Sequence, residues 1–175
     1  MIANSGRLLS VNKLTADFKS RGIKVGKDTI FEYLGYLEDA FLAFSVSLYS
    51  ESLRARSTTP KKYFCIDTGM VANYSLRPEA DLGRLFENLV FIDLKRQGYR
   101  LHYYVTKSGS EVDFVVVGST GQNFVVQVCL DISETATRLR EENSLHEAMR
   151  ELGCGGILVT PREYTQGYDW IPKLE

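Results

Sequence analysis

The chain has 175 residues, room for one large domain or two small ones. Hydrophobic residues make up 44% and charged residues 25%, a balance that excludes wholesale disorder. The net charge of -1 excludes a globally basic nucleic-acid binder, so any such contact must come from a local patch. Cys65, Cys129 and Cys154 are far apart, no CxxC pair exists, and His102 and His146 stand alone. Neither a structural zinc site nor a disulfide framework is expected, and a reducing cytoplasm fits best. The first residues lack the apolar run of a signal peptide, and no stretch approaches membrane-spanning length, so no membrane partner is expected.

In chain order, Ser10 is the expected N-cap of a first helix, with Val11, Leu14 and Phe18 at helical spacing and a stop near Gly22. A second helix is predicted to start at Asp28, with Ile30, Leu34, Leu37 and Phe41 on one face. Residues 43–49 then alternate with period two, which predicts a strand. A basic, polar stretch over 50–62 follows, and a second strand resumes at Tyr63. Two helices and two strands around a basic loop form the pattern of a winged helix. Asp67 caps or turns into a short helix, and Pro78 among the charges of residues 76–81 marks a domain boundary.

Beyond it a long helix is predicted over 82–97, with Leu82, Leu85, Phe86, Leu89 and Val90 as its buried stripe. Three strands follow over 100–105, 111–117 and 123–130, the last two joined by the turn at Gly118–Gly121. Ser133 is the expected cap of a helix carrying Leu139, Leu145, Met149 and Leu152, which closes at Gly153. Ile157, Leu158 and Val159 read as a strand covered on both faces. The expected class is α/β (α+β overall), with residues 1–76 as a winged-helix-like domain and 77–175 built on a mixed sheet flanked by helices.

Period two places Glu111, Asp113 and Val115 on one face of their strand and Val112, Phe114 and Val116 on the other. Acids at the start of an apolar strand call for a partner, because buried carboxylates are costly unless paired or metal-bound. Gln127 and Cys129 share a face of the neighbouring strand, and Glu87 interrupts the apolar run of the long helix. A helix Glu, a strand Asp and an x-Val-x triplet resemble the PD-(D/E)XK nuclease superfamily, which has a restriction-endonuclease-like fold. The resemblance is closer to one branch, the C-terminal region of uncharacterised prokaryotic AAA-type P-loop ATPases. It rests on YLEDAFLAF at 36–44, KKYFCIDTG at 61–69, GRLFENLVFIDLKRQG at 83–98, KSGSEVDF at 107–114 and VQVC at 126–129.

The resemblance implies a site at Glu87, Asp113, Gln127 and Cys129, with magnesium held by Glu87 and Asp113 if the site is active. The superfamily's Glu-x-Lys triplet is replaced here by Gln127-Val128-Cys129. A neutral amide is a weaker ligand for a hard cation, and a thiol cannot supply the ammonium that polarises water. The four positions are therefore expected to be vestigial and no cofactor is expected, unless Lys107 or Lys95 supplies the charge. The resemblance also implies a preceding ATPase module, since this chain has no G-x-x-x-x-G-K-[ST].

In the winged-helix reading, Lys24, Lys27, Arg54, Arg56, Lys61 and Lys62 are the candidate DNA-phosphate contacts, though Glu32, Glu38 and Asp39 on the recognition helix oppose them. Three readings stand: a nucleic-acid or partner-binding module with a degenerate site, a divergent magnesium-dependent nuclease, and a pure protein-interaction module.

Overall fold

The computed structural model describes residues 5–74, 81–167, 170 and 173–174. The strands are β1 (Leu8–Leu9), β2 (Ala43–Leu48), β3 (Lys61–Cys65), β4 (Arg100–Val105), β5 (Glu111–Val117), β6 (Asn123–Val128) and β7 (Gly155–Val159). The helices are α1 (Val11–Ser20), α2 (Lys27–Asp39), α3 (Leu53–Thr58), α4 (Thr68–Tyr74), α5 (Leu82–Arg96), α6 (Thr135–Leu152) and α7 (Pro161–Thr165). All seven strands join one mixed sheet in the order β1-β3-β2-β4-β5-β6-β7.

Local signals account for many of the element ends. Ser10 caps α1 by accepting from the Lys13 amide, and Asp67 receives the Met70 amide at the start of α4. Gly153, at φ 61°, closes α6 in the left-handed conformation. Other caps differ from expectation. Gly26 precedes α2, so Asp28 lies inside its first turn, where a carboxylate still favours the helix dipole. Glu134 rather than Ser133 precedes α6, because the Ser133 amide is turned toward the Asp131 carboxylate. Residues 53–58, expected in a loop, form α3, capped by the Ser52 hydroxyl.

Three layers form around the sheet. On one face α5 supplies Val90, Phe91 and Leu94 to a core shared with Val46, Phe64 and Phe114. The Phe64 and Phe91 rings stack with centroids 4.3 Å apart and an 11° tilt, and Phe114 closes on Phe64 at 5.4 Å. On the other face α6 packs Leu145 and Ala148 against Val112 and Val125. Gly156 permits that approach, since a Cβ there would stand 2.9 Å from both Leu145 Cδ1 and the Val125 carbonyl oxygen. Ile30 and Leu34 of α2 meet Tyr63 in a third cluster with Leu14 and Phe18 of α1. Ile157 and Leu158 join opposite clusters, so β7 is covered on both faces although it ends the sheet.

Some expected core residues lie outside. Leu82 is 50% exposed and Leu139 52%, each near the start of its helix, before the helix reaches the sheet. Phe41 has left α2, sits at φ 55° and is 69% exposed.

The expected boundary at residues 76 and 77 falls outside the described residues. The sheet nonetheless crosses it: β2 pairs in parallel with β4, through Ser47 with His102 and Leu48 with Tyr103. The Tyr103 hydroxyl also donates to the Pro60 carbonyl at 2.7 Å. Because the Phe64–Phe91–Phe114 cluster draws on both halves, a urea titration should show one cooperative transition. Phe91→Ala should lower stability by about 3–5 kcal/mol, against a change within about 0.5 kcal/mol for the exposed Tyr36→Ala. Two separate transitions would instead identify independently folding units.

Candidate functional site

Glu87, Glu111 and Asp113 do come together, and a β-bulge is the reason. The β4–β5 register shifts between His102 and Tyr104: His102 pairs with Val115, but Tyr104 pairs with Val112. The extra residue lets Asp113 and Phe114 both face α5, which strict alternation forbids. Val112 therefore packs toward α6 while Phe114 and Val116 join the α5 core. Strict alternation would place Asp113 and Phe114 on opposite faces; the bulge overrides it.

At the centre of these acids lies Lys62. Its Nζ stands 3.1 Å from Glu87 Oε1, 2.8 Å from Glu111 Oε1 and 3.5 Å from Asp113 Oδ1, with its side chain 3% exposed. Expected on a solvated wing, Lys62 is instead a buried residue of β3 on the same strand face as Phe64. The alternation already carried that signal, since Lys62 and Phe64 are two residues apart in an apolar strand. The ion pairs of Glu87, Glu111 and Asp113 are made with Lys62, not with Lys107 or Lys95. The Lys107 amide donates to Glu151 of α6, and the Lys95 ammonium lies 5.6 Å from the centre of the Phe44 ring.

Gln127 and Cys129 line the same cleft, of about 400 Å³, together with Glu87, Asp113, Arg140 and Glu141. Their polar atoms are engaged elsewhere. Gln127 Oε1 accepts the Asp113 amide at 3.2 Å, and its Nε2 donates to Glu141 Oε2 at 2.6 Å. The Cys129 thiol donates to the Asp131 carbonyl at 3.3 Å. Asp113 is held on its other side by the Val128 amide, 2.9 Å from Oδ2.

The remaining candidates do not converge. Lys24 is exposed in the segment before α2 and Lys27 at its first residue, Arg54 is exposed on α3, and Arg56 and Lys61 are half-buried. The exposed side of α2 carries Phe31, Tyr33 and Tyr36 alongside Glu32 and Asp39.

Electrostatics follow from this geometry. Burial opposes the Lys62 charge, but Glu87, Asp113 and Glu111 outweigh it and hold the ammonium pKa above its ordinary value. Burial, reinforced by Asp113 and only partly offset by Lys62, pushes the Glu87 carboxyl up to about 8. Asp113 is raised as well, by burial first and against the pull of Lys62. One ammonium does not offset the burial of both Glu87 and Asp113, so that pair favours keeping a proton.

The superfamily resemblance implies magnesium at Glu87 and Asp113, and the residues as arranged do not fit it. Their oxygens are engaged with an ammonium rather than turned to a common vacant point, and Gln127 is committed to Asp113 and Glu141. Among the described residues, no three His, Cys, Asp or Glu side chains are placed to hold a metal ion. Among the described residues, no helix is long and apolar enough to cross a membrane.

A family model described as a domain of unknown function (DUF4143) matches residues 82–172, and a second domain of unknown function (DUF8612) matches residues 1–81. An uncharacterized protein of Methanocaldococcus jannaschii is 32% identical over 167 residues, covering 93% of this chain and 36% of that protein. An uncharacterized protein of Haemophilus influenzae is 30% identical over 163 residues, covering 93% of this chain and 39% of its own length. The chain thus spans less than two fifths of either relative. No solved structure matches it.

Glu87 supplies a test. Its folded pKa lies above the unfolded one, so its contribution favours folding at acidic pH and is lost as pH rises toward about 8. Wild-type stability should therefore fall between pH 5 and pH 8.5. Glu87→Gln, which cannot ionise, should flatten that slope and gain about 1–3 kcal/mol on the wild type at the alkaline end. Urea midpoints at the two pH values measure it, and an unchanged slope would mean a solvated cluster.

Proposed function

We propose, from the premise that the chain belongs to the DUF4143 family of domains of unknown function, that it is a non-catalytic docking module in the C-terminal region of an AAA-type ATPase. The observation that carries this reading is the Lys62 ammonium among Glu87, Glu111 and Asp113. In a working nuclease of the PD-(D/E)XK type those carboxylates would face a metal ion and water. Here they face an internal cation, and Gln127 and Cys129 stand where a carboxylate and an ammonium are required. Hydrolysis would lack its metal, and the one ammonium at the site, Lys62, is taken up by the carboxylates themselves.

The retained frame serves as a scaffold in this reading. The N-terminal order β1-α1-α2-β2-α3-β3, with β3 between β1 and β2, supports a winged-helix-like unit whose wing connection has become α3. Exposed aromatic residues beside carboxylates on α2 favour a protein partner, since Glu32 and Asp39 would repel phosphates. The partner surface of such a module would include that helix.

Incubating the purified chain with labelled single- and double-stranded DNA and RNA, in magnesium or manganese, should give no cleavage. Magnesium-dependent cleavage abolished by Asp113→Ala would overturn the non-catalytic reading. DNA affinity that falls linearly in log units with log salt would favour nucleic acid over protein as the partner.

A further inference from the structure

The two family models divide the chain between residues 81 and 82, and the acid cluster straddles that division. Glu87, Glu111 and Asp113 belong to the C-terminal part. Lys62, in contact with all three, comes from the N-terminal part.

A second N-terminal element closes on the same place. Gly6 lies against Glu87 so tightly that a Cβ there would stand 2.9 Å from Glu87 Oε2, and its φ of 79° suits glycine. Ser5 anchors this strap by donating to Asn88 Oδ1 at 2.5 Å, one residue beyond Glu87. The Asn88 side chain, fully buried, in turn receives the Cys65 amide and donates to the Cys65 carbonyl, which ties α5 to β3. Strap and lysine therefore arrive at Glu87 from one half of the chain and are fixed by the same hydrogen bonds.

We propose that Lys62 is a built-in plug: the N-terminal part inserts an ammonium into the C-terminal part's carboxylate cluster and thereby keeps a divalent cation out. One oxygen from each of three carboxylates lies 2.8 to 3.5 Å from a single point, Lys62 Nζ. An ammonium holds oxygens at that hydrogen-bonding range. A small hard divalent ion such as magnesium draws them in to about 2.0–2.1 Å, roughly an ångström closer. The lysine thus supplies part of the compensating charge and also props the acids too far apart to act as ligands. Removing it leaves three carboxylates facing one another with no cation. That arrangement is relieved either by protonation or by a metal ion filling the vacated position. The plug explains why a retained acid frame coexists with a lost triplet: the compensating charge has moved from the C-terminal part to the N-terminal part.

This inference rests on the non-catalytic reading of the native site. It is tested on the full chain by titrating Mn²⁺ into wild type, Lys62→Ala and Lys62→Gln, followed by calorimetry and by the metal-induced rise in Tm. Lys62→Ala should bind one Mn²⁺ at least tenfold more tightly than wild type, and adding Asp113→Asn should remove that binding. Binding no tighter than in wild type would overturn the plug. Variants that unfold in the absence of metal and refold when Mn²⁺ is added would support it; failure of Mn²⁺ to rescue them would overturn it. Equal binding in wild type and variant without cleavage removes the plug alone. Binding by wild type accompanied by cleavage removes the non-catalytic reading.

Discussion

Two largely buried carboxylates, Glu87 and Asp113, and the more exposed Glu111 share one buried ammonium where α5 meets the sheet. Lys62 can reach it only because β3 belongs to the same sheet as β5, joined through β2 and β4. The same face of β3 that delivers Lys62 delivers Phe64 to the aromatic stack with Phe91. Core packing and charge compensation thus share one strand face. Removing the one cation of a buried pair typically costs about 3–5 kcal/mol, because it leaves an uncompensated charge.

The same constraint explains the character of the cleft. A metal site needs carboxylate oxygens turned to a common vacant point with their negative charge unspent. Here one oxygen of each acid is turned to Lys62, Asp113 is further tied to the Val128 amide, and Gln127 bridges Asp113 to Glu141 of α6. Each group that the nuclease pattern would present to a substrate is instead bonded within the protein.

The contact between the two halves also changes how the domain organisation is understood. The family models meet between residues 81 and 82, yet the sheet, the aromatic core and the Lys62 cluster all cross that line. Sequence families mark units of inheritance, whereas the parallel pairing of β2 with β4 and the burial of Phe64 against α5 mark a unit of packing.

Much of the local structure was legible in the sequence. Helical spacing in α1, α2 and α5, alternation in β2, the three strands after α5 and the glycine closing α6 are short-range signals written within a few residues. Glu87 and Asp113 were recognisable for the same reason, as acids in apolar surroundings. What only the tertiary structure decided is where long side chains end up. The bulge at Asp113 and Phe114 depends on pairing with β4, and it turned the acid to the α5 face. Lys62 looked like one more wing cation because its neighbours are Lys61 and Arg56. Sheet order, which no local pattern encodes, carried it into the acid cluster. A strand's alternation fixes which face a residue takes, but only the assembled sheet fixes what that face meets.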